Sequence, residues 1–345
     1  MKIMTITSRF LPGNLMEYCI DKEIKTIILN RDMNSIEPKW VLVYRLITDS
    51  IESLSHLKEL RSADTIISVS YITVPLLFFR KLGLLKKQIS FIWEGFFLHN
   101  QKFFSLFKKL FRHLFRQNDA LLVYSQFERD LYSQSFNINI SNIHYIPLVF
   151  EPKPQEILFN QYTKKADWDK IPDEFYFSGG YSHRDYATLI EVFRTIDATL
   201  VICYSGMNTE IQSIDIPANV ILLHDVSRED FAELVRRSKA CLLLIKSNSG
   251  AAGQLFVIEV MYNNKIIIAS STDILKEMIT HRENGFIVND PILEIPLIIK
   301  DIEEGVADVY TMKRKAKETI LSVNCKRNYN HHLNQAFRTV TKYHN

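Results

Sequence analysis

Between residues 175 and 290 the chain twice runs from an apolar strand, through a cluster of small residues, straight into a helix. The first pass is Phe175 to Ser178, then Gly179-Gly180-Tyr181-Ser182-His183-Arg184-Asp185-Tyr186, then Leu189, Ile190, Val192 and Phe193 at helical spacing. The second leaves Ala240 to Ile245 through Ser247-Asn248-Ser249-Gly250-Ala251-Ala252-Gly253-Gln254 into a helix carrying Glu259, followed by the strand Ile266 to Ala269. Such junctions aim main-chain N–H groups and a helix N-terminus at the carboxyl edge of a parallel sheet, where α/β folds hold phosphate groups.

The same alternation extends over the chain. Strand patterns at Lys2 to Thr7, Ile24 to Leu29, Thr65 to Ser70, Ile89 to Trp93 and Ala120 to Tyr124 precede those at Phe175, Thr199, Val220, Ala240, Ile266 and Gly285, with helical periodicity between them. Short apolar strands separated by helices predict parallel sheets built from βαβ units. A chain of 345 residues exceeds one ordinary core, so two Rossmann-like, doubly wound α/β domains facing a cleft are expected. The predicted boundaries are an N-terminal domain over 1–150, a polar linker over 151–172, a C-terminal domain over 173–309, and a helical segment over 310–345 long enough to pack back on the N-terminal domain.

Composition narrows the class. Hydrophobic residues make up 47% and charged residues 23%, and 42 basic against 39 acidic residues leave +3, too even for a nucleic-acid binder. Cys19, Cys203, Cys241 and Cys325 lack metal-ligand spacing, and neither metal nor other cofactor is expected. The N-terminus does not read as a signal peptide and no apolar run approaches bilayer length, which predicts a cytoplasmic protein.

With both halves laid out, the chain resembles the GT-B glycosyltransferases, in particular glycosyltransferase family 4 (group 1) enzymes of bacterial surface polysaccharide synthesis. The similarity is strongest over 173–290: the strand and glycine turn at Phe177 to Gly180, the unit Val220 to Asp230, the helix Gly253 to Met261, and Glu283 to Val288. More weakly, Ala120 to Glu128 is similar to the strand and serine turn leading towards the interdomain passage. The resemblance implies a transferase that moves a sugar from a nucleotide-sugar donor, expected to work without metal; the basic clusters described below suggest a lipid-linked glycan as acceptor, and the lack of a recognised nucleic-acid module argues against a nucleic-acid partner. The family's paired glutamates find Glu259 in the second place and Ala251 in the first. Its two phosphate-binding cations fall at Gly180 and Arg184, so one is present. A GT-B sugar-nucleotide epimerase, or a silent scaffold for a partner transferase, are the alternatives.

On this reading the donor is held by Gly179, Gly180, Arg184, Ser249, Gly250, Gly253, Gln254 and Glu259. Arg184 offers a guanidinium to the diphosphate, with a surface ion pair as its plain alternative. The Ser249 to Gln254 run offers N–H groups, or is mere turn punctuation. Glu259, in an apolar turn, accepts ribose hydroxyls or forms a structural ion pair. Glu94, at the end of a strand, is the candidate catalytic base towards an acceptor hydroxyl, or a carboxylate that positions the acceptor or caps a helix. His183, His224 and the loop Ser8 to Asn14 are secondary candidates.

Finally, Gln101 to Gln117 places Phe103, Phe104, Leu106, Phe107, Leu110, Phe111, Leu114 and Phe115 on one helical arc, with Lys102, Lys108, Lys109, Arg112 and Arg116 on the rest. Arg80, Lys81, Lys86 and Lys87 add cations. The pattern fits a helix lying on an anionic membrane surface, placing the protein peripherally on the inner face of the cell membrane, or a sheet-covering helix with a solvated basic face.

Overall fold

The computed structural model describes residues 2–7, 13–29, 41–69, 72–95, 108–109, 111–150, 164–246 and 252–342. These form two compact units: Met1–Pro147 with Lys326–Asn345, and Leu148–Cys325.

Unit 1 is built on strands β1 (Ile3–Thr7), β2 (Lys25–Ile28), β3 (Thr65–Val69), β4 (Ser90–Glu94), β5 (Ala120–Val123) and β6 (Ile143–Tyr145). They pair in the order β2-β1-β3-β4-β5-β6, every pair parallel. β3, β4 and β5 are buried along their whole length, which explains their unbroken apolar sequence. Helices α1 (Gly13–Asp21), α2 (Val41–Ser55), α3 (Leu57–Leu60), α4 (Thr73–Lys81) and α5 (Gln126–Phe136) connect them. Ser125 caps α5 by accepting from the Glu128 N–H.

Unit 2 carries β7 (Tyr176–Gly179), β8 (Leu200–Tyr204), β9 (Val220–His224), β10 (Ala240–Leu243), β11 (Ile266–Ser270) and β12 (Phe286–Val288), in the parallel order β12-β11-β10-β7-β8-β9. The chain turns one way from β7 to β8 and returns to its other side as β10. The topological switch point therefore falls between β7 and β10. Helices α6 (Tyr186–Phe193), α7 (Arg228–Arg237), α8 (Gln254–Tyr262), α9 (Asp273–Lys276), α10 (Pro291–Glu303) and α11 (Val309–Val323) complete the layers. One core cluster, around Phe177, Leu243 and Val257, and another, around Phe193, Leu242 and Ile268, take opposite faces of the sheet. Strand residues alternate between them, as a two-sided sheet requires.

Two connections differ from a plain sequence reading. From Lys164 the polar stretch is already docked on unit 2: Ser227 donates its N–H to Lys164 O, and Asp230 accepts from the Ala166 N–H and the Trp168 indole. The helical segment after residue 310 divides at Asn324, whose side chain donates to Leu148 O, so α11 stays with unit 2 while α12 (Lys326–Thr341) packs in unit 1.

Candidate functional site

The turn after β7 is held by side chains that its own sequence supplies. Ser178 Oγ donates to Leu242 O at 2.8 Å, tying β7 to β10. A β-carbon on Gly179 would lie 2.4 Å from the Phe231 ring, and one on Gly180, at φ +111, would lie 2.5 Å from Arg184 Nη2. Only glycines let the backbone pass there. Arg184 folds back into this space, donating from Nε to Gly179 O at 3.0 Å and from Nη1 to Ser182 O at 2.8 Å. Tyr186 Oη donates to Gly180 O and Cys203 O, and Asn208 Nδ2 donates to Tyr181 O. Asp185 and Lys246 donate their N–H groups to Leu244 O and His183 O, laying the turn along the end of β10 at the switch point.

Arg184 is 6% exposed, burial lowers its pKa, and no carboxylate among the described residues pairs with it. A guanidinium stays charged regardless, and it keeps N–H groups that neither carbonyl uses. A buried cation without a counter-charge is costly, and an anionic ligand relieves that cost.

Beside it, α8 opens at Gly253, whose φ of +87 and 2.7 Å approach to Leu243 exclude a side chain. The first-turn N–H groups of a helix have no partner within it, and the dipole there favours negative charge. Gln254 is 7% exposed at the helix's first turn. Ser249 and Gly250 lie outside the described residues.

Glu259, one turn further along α8 and 5% exposed, carries the alternative that its sequence left second: Arg228 Nη1 stands 2.8 Å from its Oε1 as an ion pair. Burial raises the carboxyl pKa and Arg228 opposes the rise. Nothing in the sequence singles out Arg228, which opens α7 behind the Ser227 cap like any surface arginine. Phe177, Phe231 and Phe256 form an aromatic wall with centroids 5.3 to 6.1 Å apart, Arg228 lying over Phe231 and Arg184 over Phe256. Turn, helix start and ion pair thus share one edge of unit 2. His224 is spent on Asp225 and on the ring of Tyr204. His183 holds the left-handed conformation that the turn needs, at φ 56.

In unit 1 the candidate base Glu94 lies deeper than its place in the sequence suggests. It does end a strand, but it is 1% exposed, and the hydroxyls of Tyr124 and of Tyr329 on α12 donate to its carboxylate at 3.1 to 3.2 Å. In this arrangement the carboxylate serves the two tyrosine hydroxyls. Burial pushes its pKa up from 4.5 to about 7, the two hydroxyls opposing the rise. The folded chain therefore holds this proton more tightly than an unfolded one. The stability it contributes is complete below about pH 4.5 and lost as pH rises through about 7. Glu94→Gln mimics the protonated acid. It should match the parent near pH 5 and exceed it by ~2 kcal/mol at about pH 8 in urea unfolding; an unchanged difference between the two pH values refutes the assignment.

Only part of the basic helix falls among the described residues. Lys102 and most of the apolar arc lie outside the described residues, but Phe111 and Leu114 are buried in the unit 1 core, Phe111 against Trp93, Phe115 and Phe136. These positions cover the sheet rather than face a bilayer. Lys109 and Arg112 are exposed and Lys108 is half-buried. Arg112 Nε donates to Phe136 O, and Arg116 Nη1 to Lys87 O. Arg80 is not a surface cation at all, being 1% exposed against Asp119. Among the described residues no helix is long and apolar enough to cross a membrane.

Comparison with known proteins sets this edge in context. The family model described as glycosyl transferases group 1 matches residues 160–320. No curated protein matches by sequence. Among solved structures, Anabaena Alr3699/HepE in complex with UDP aligns with a TM-score of 0.67 at 12% identity, over 98% of this chain and 100% of that one. Sucrose-phosphate synthase (tll1590) from Thermosynechococcus elongatus gives 0.71 at 12% identity, over 99% and 100%. The lipopolysaccharide outer core galactosyltransferase WaaB, in its apo form, gives 0.64 at 14%, over 98% and 99%. At such identities the likeness establishes the fold, which is GT-B.

Proposed function

We infer that this glycosyltransferase, whose residues 160–320 carry a glycosyl transferases group 1 domain, takes its sugar from a nucleotide-sugar donor and passes it to a lipid-linked glycan in surface polysaccharide synthesis, at the inner face of the cell membrane. The observation that carries the donor half is the uncompensated Arg184 guanidinium, locked behind the glycine turn at the switch point and flanked by the N-terminal half of α8, where Phe256 lies against it.

Transfer breaks the bond between the anomeric carbon and the diphosphate, and both bonding electrons leave with the phosphate oxygen while the acceptor hydroxyl oxygen takes the carbon and its proton passes to the departing diphosphate. Negative charge grows on the diphosphate as this happens. Arg184 and the N–H groups of residues 253–256 are fixed in advance where that charge develops, so they stabilise it without reorganising. Gly179 and Gly180 let the phosphates approach the main chain. The Arg228 and Glu259 pair, with a donor and an acceptor side by side, suits the ribose hydroxyls, and the aromatic wall keeps its charges oriented. Ser249 and Gly250 precede this helix in the sequence and complete the proposed set of donor-binding residues.

HepE has been seen with UDP-glucose, which supports a uridine nucleotide as the first donor to test. WaaB acts on lipopolysaccharide outer core, which supports a lipid-linked glycan as acceptor class. Calorimetry with nucleoside diphosphates and their sugars, followed by product analysis, tests the reading. Donor hydrolysis or transfer is expected; a change of sugar stereochemistry without transfer points to an epimerase, and no binding of any nucleotide to a silent scaffold.

A further inference from the structure

Unit 1 distributes its cations unevenly. The loop from Leu82 to Ile89 leads α4 into the N-terminal end of β4, and Leu82 stands 71% exposed at its start. Gly83 follows at φ +77 with open space around it. Lys81, Lys86 and Lys87 flank the leucine on the surface, and none pairs with a carboxylate among the described residues. Two guanidinium groups brace the same loop: Arg61 Nε donates to Leu84 O and Arg116 Nη1 to Lys87 O, both at 2.7 Å. Hydrogen bonds to carbonyls leave their charge uncancelled.

Two acids of this edge are already paired: Glu59 with Lys25 at 2.7 Å and Asp119, sealed with Arg80, while Asp64 accepts the Lys2 main-chain N–H at 2.7 Å and keeps its charge. The result is a projecting leucine ringed by uncancelled cations, whereas ordinary solvated surfaces mix their signs.

We propose that this loop is the membrane contact: Leu82 enters the headgroup layer of an anionic bilayer while Lys81, Lys86, Lys87, Arg61 and Arg116 meet lipid phosphates. The proposal rests on the membrane-side reading above and names its surface. Charge complementarity alone fits any polyanion, but an RNA or acidic polymer offers phosphates without an apolar layer for the leucine. A bilayer offers both.

Position adds a consequence for the acceptor. The loop lies at the N-terminal ends of the strands, while ligands of such sheets bind at the C-terminal ends. The five residues of β4 separate the two edges by ~17 Å. The reacting hydroxyl is thus held clear of the headgroups, so the acceptor is a glycan already extended from its lipid rather than a lipid bearing its first sugar.

The test is flotation of the full chain with phosphatidylcholine vesicles and with vesicles that also contain phosphatidylglycerol, at low and raised salt. Binding to the anionic vesicles only, weakened by salt, is expected. The double variant Lys86→Gln/Lys87→Gln should lose about thirtyfold in partitioning, at ~1 kcal/mol for each cation near such a surface. Leu82→Ser should lose about tenfold. Thermal melts that match the parent's show that the variants are folded, and retained nucleotide-sugar binding shows that unit 2 is unaffected. Absence of vesicle binding by the parent, variants that float like the parent, or equal binding of Leu82→Ser and parent to a single-stranded RNA and to vesicles would each overturn the proposal. Failure of the parent to bind any nucleotide sugar would instead defeat the glycosyl-transfer reading while leaving the vesicle result intact.

Discussion

Arg184→Met is expected to weaken nucleoside diphosphate binding about a hundredfold, ~2.7 kcal/mol, the scale of charge-assisted hydrogen bonds lost in a dry site. The side chain has two tasks, and the variants separate them. It clamps the glycine turn through Gly179 O and Ser182 O, and it presents an uncancelled charge at the switch point. Arg184→Lys keeps the charge without the planar fork, so it should fall between parent and Met variant, at about tenfold. If the turn alone mattered, both variants would lose binding equally and unfold earlier without ligand. Calorimetric titration with thermal melts of the free proteins distinguishes these results. A Met variant that binds donors as tightly as the parent removes the donor site from this turn.

The fold was legible wherever one local pattern had one physical outcome. Ala240–Leu243 and Ile266–Ser270 read as strands because parallel strands are apolar on both faces, and both are almost wholly buried. The glycine turn was legible because the close approach of Phe231 and Arg184 leaves no room for a β-carbon, and only glycine meets that demand. What stayed hidden depended on partners far along the chain. Glu94 looked like an open catalytic acid because nothing near it announces Tyr329, which is 235 residues away. Glu259 looked free for ribose because Arg228 is indistinguishable from a surface residue at a capped helix start. The amphipathic helix ending at Gln117 was ambiguous for a deeper reason. A bilayer and a β-sheet ask for the same apolar arc, and Trp93 with Phe136 decided for the sheet at Phe111. The basic run at Arg80 to Lys87 divided in the same way: the first member turned inward to an aspartate 39 residues on, and the lysines stayed out.

That inward arginine leads to the largest stability effect expected in the molecule. Arg80 and Asp119 meet through two hydrogen bonds, 2.6 and 2.7 Å, with both side chains fully buried. The aspartate also accepts the N–H groups of Phe91 and Arg116, and the arginine donates to Ile89 O and Leu114 O while lying over the Phe91 ring. The pair therefore fastens α4, the start of β4 and the approach to β5 at one point. Asp119→Ala leaves a buried, unpaired guanidinium and orphans two main-chain donors, a loss of about 3–5 kcal/mol, which is a large part of the total stability of a typical domain. Asp119→Asn keeps an acceptor for the N–H groups and should cost less. Replacing both partners by leucine removes the stranded charge and should recover much of the loss, because a buried ion pair gains little net over apolar packing. Urea unfolding followed by tryptophan fluorescence, which Trp93 in the neighbouring strand reports, measures all three. A single alanine variant within ~1 kcal/mol of the parent would mean that water or a rearranged carboxylate already serves Arg80, and that the three elements are held together by apolar packing alone.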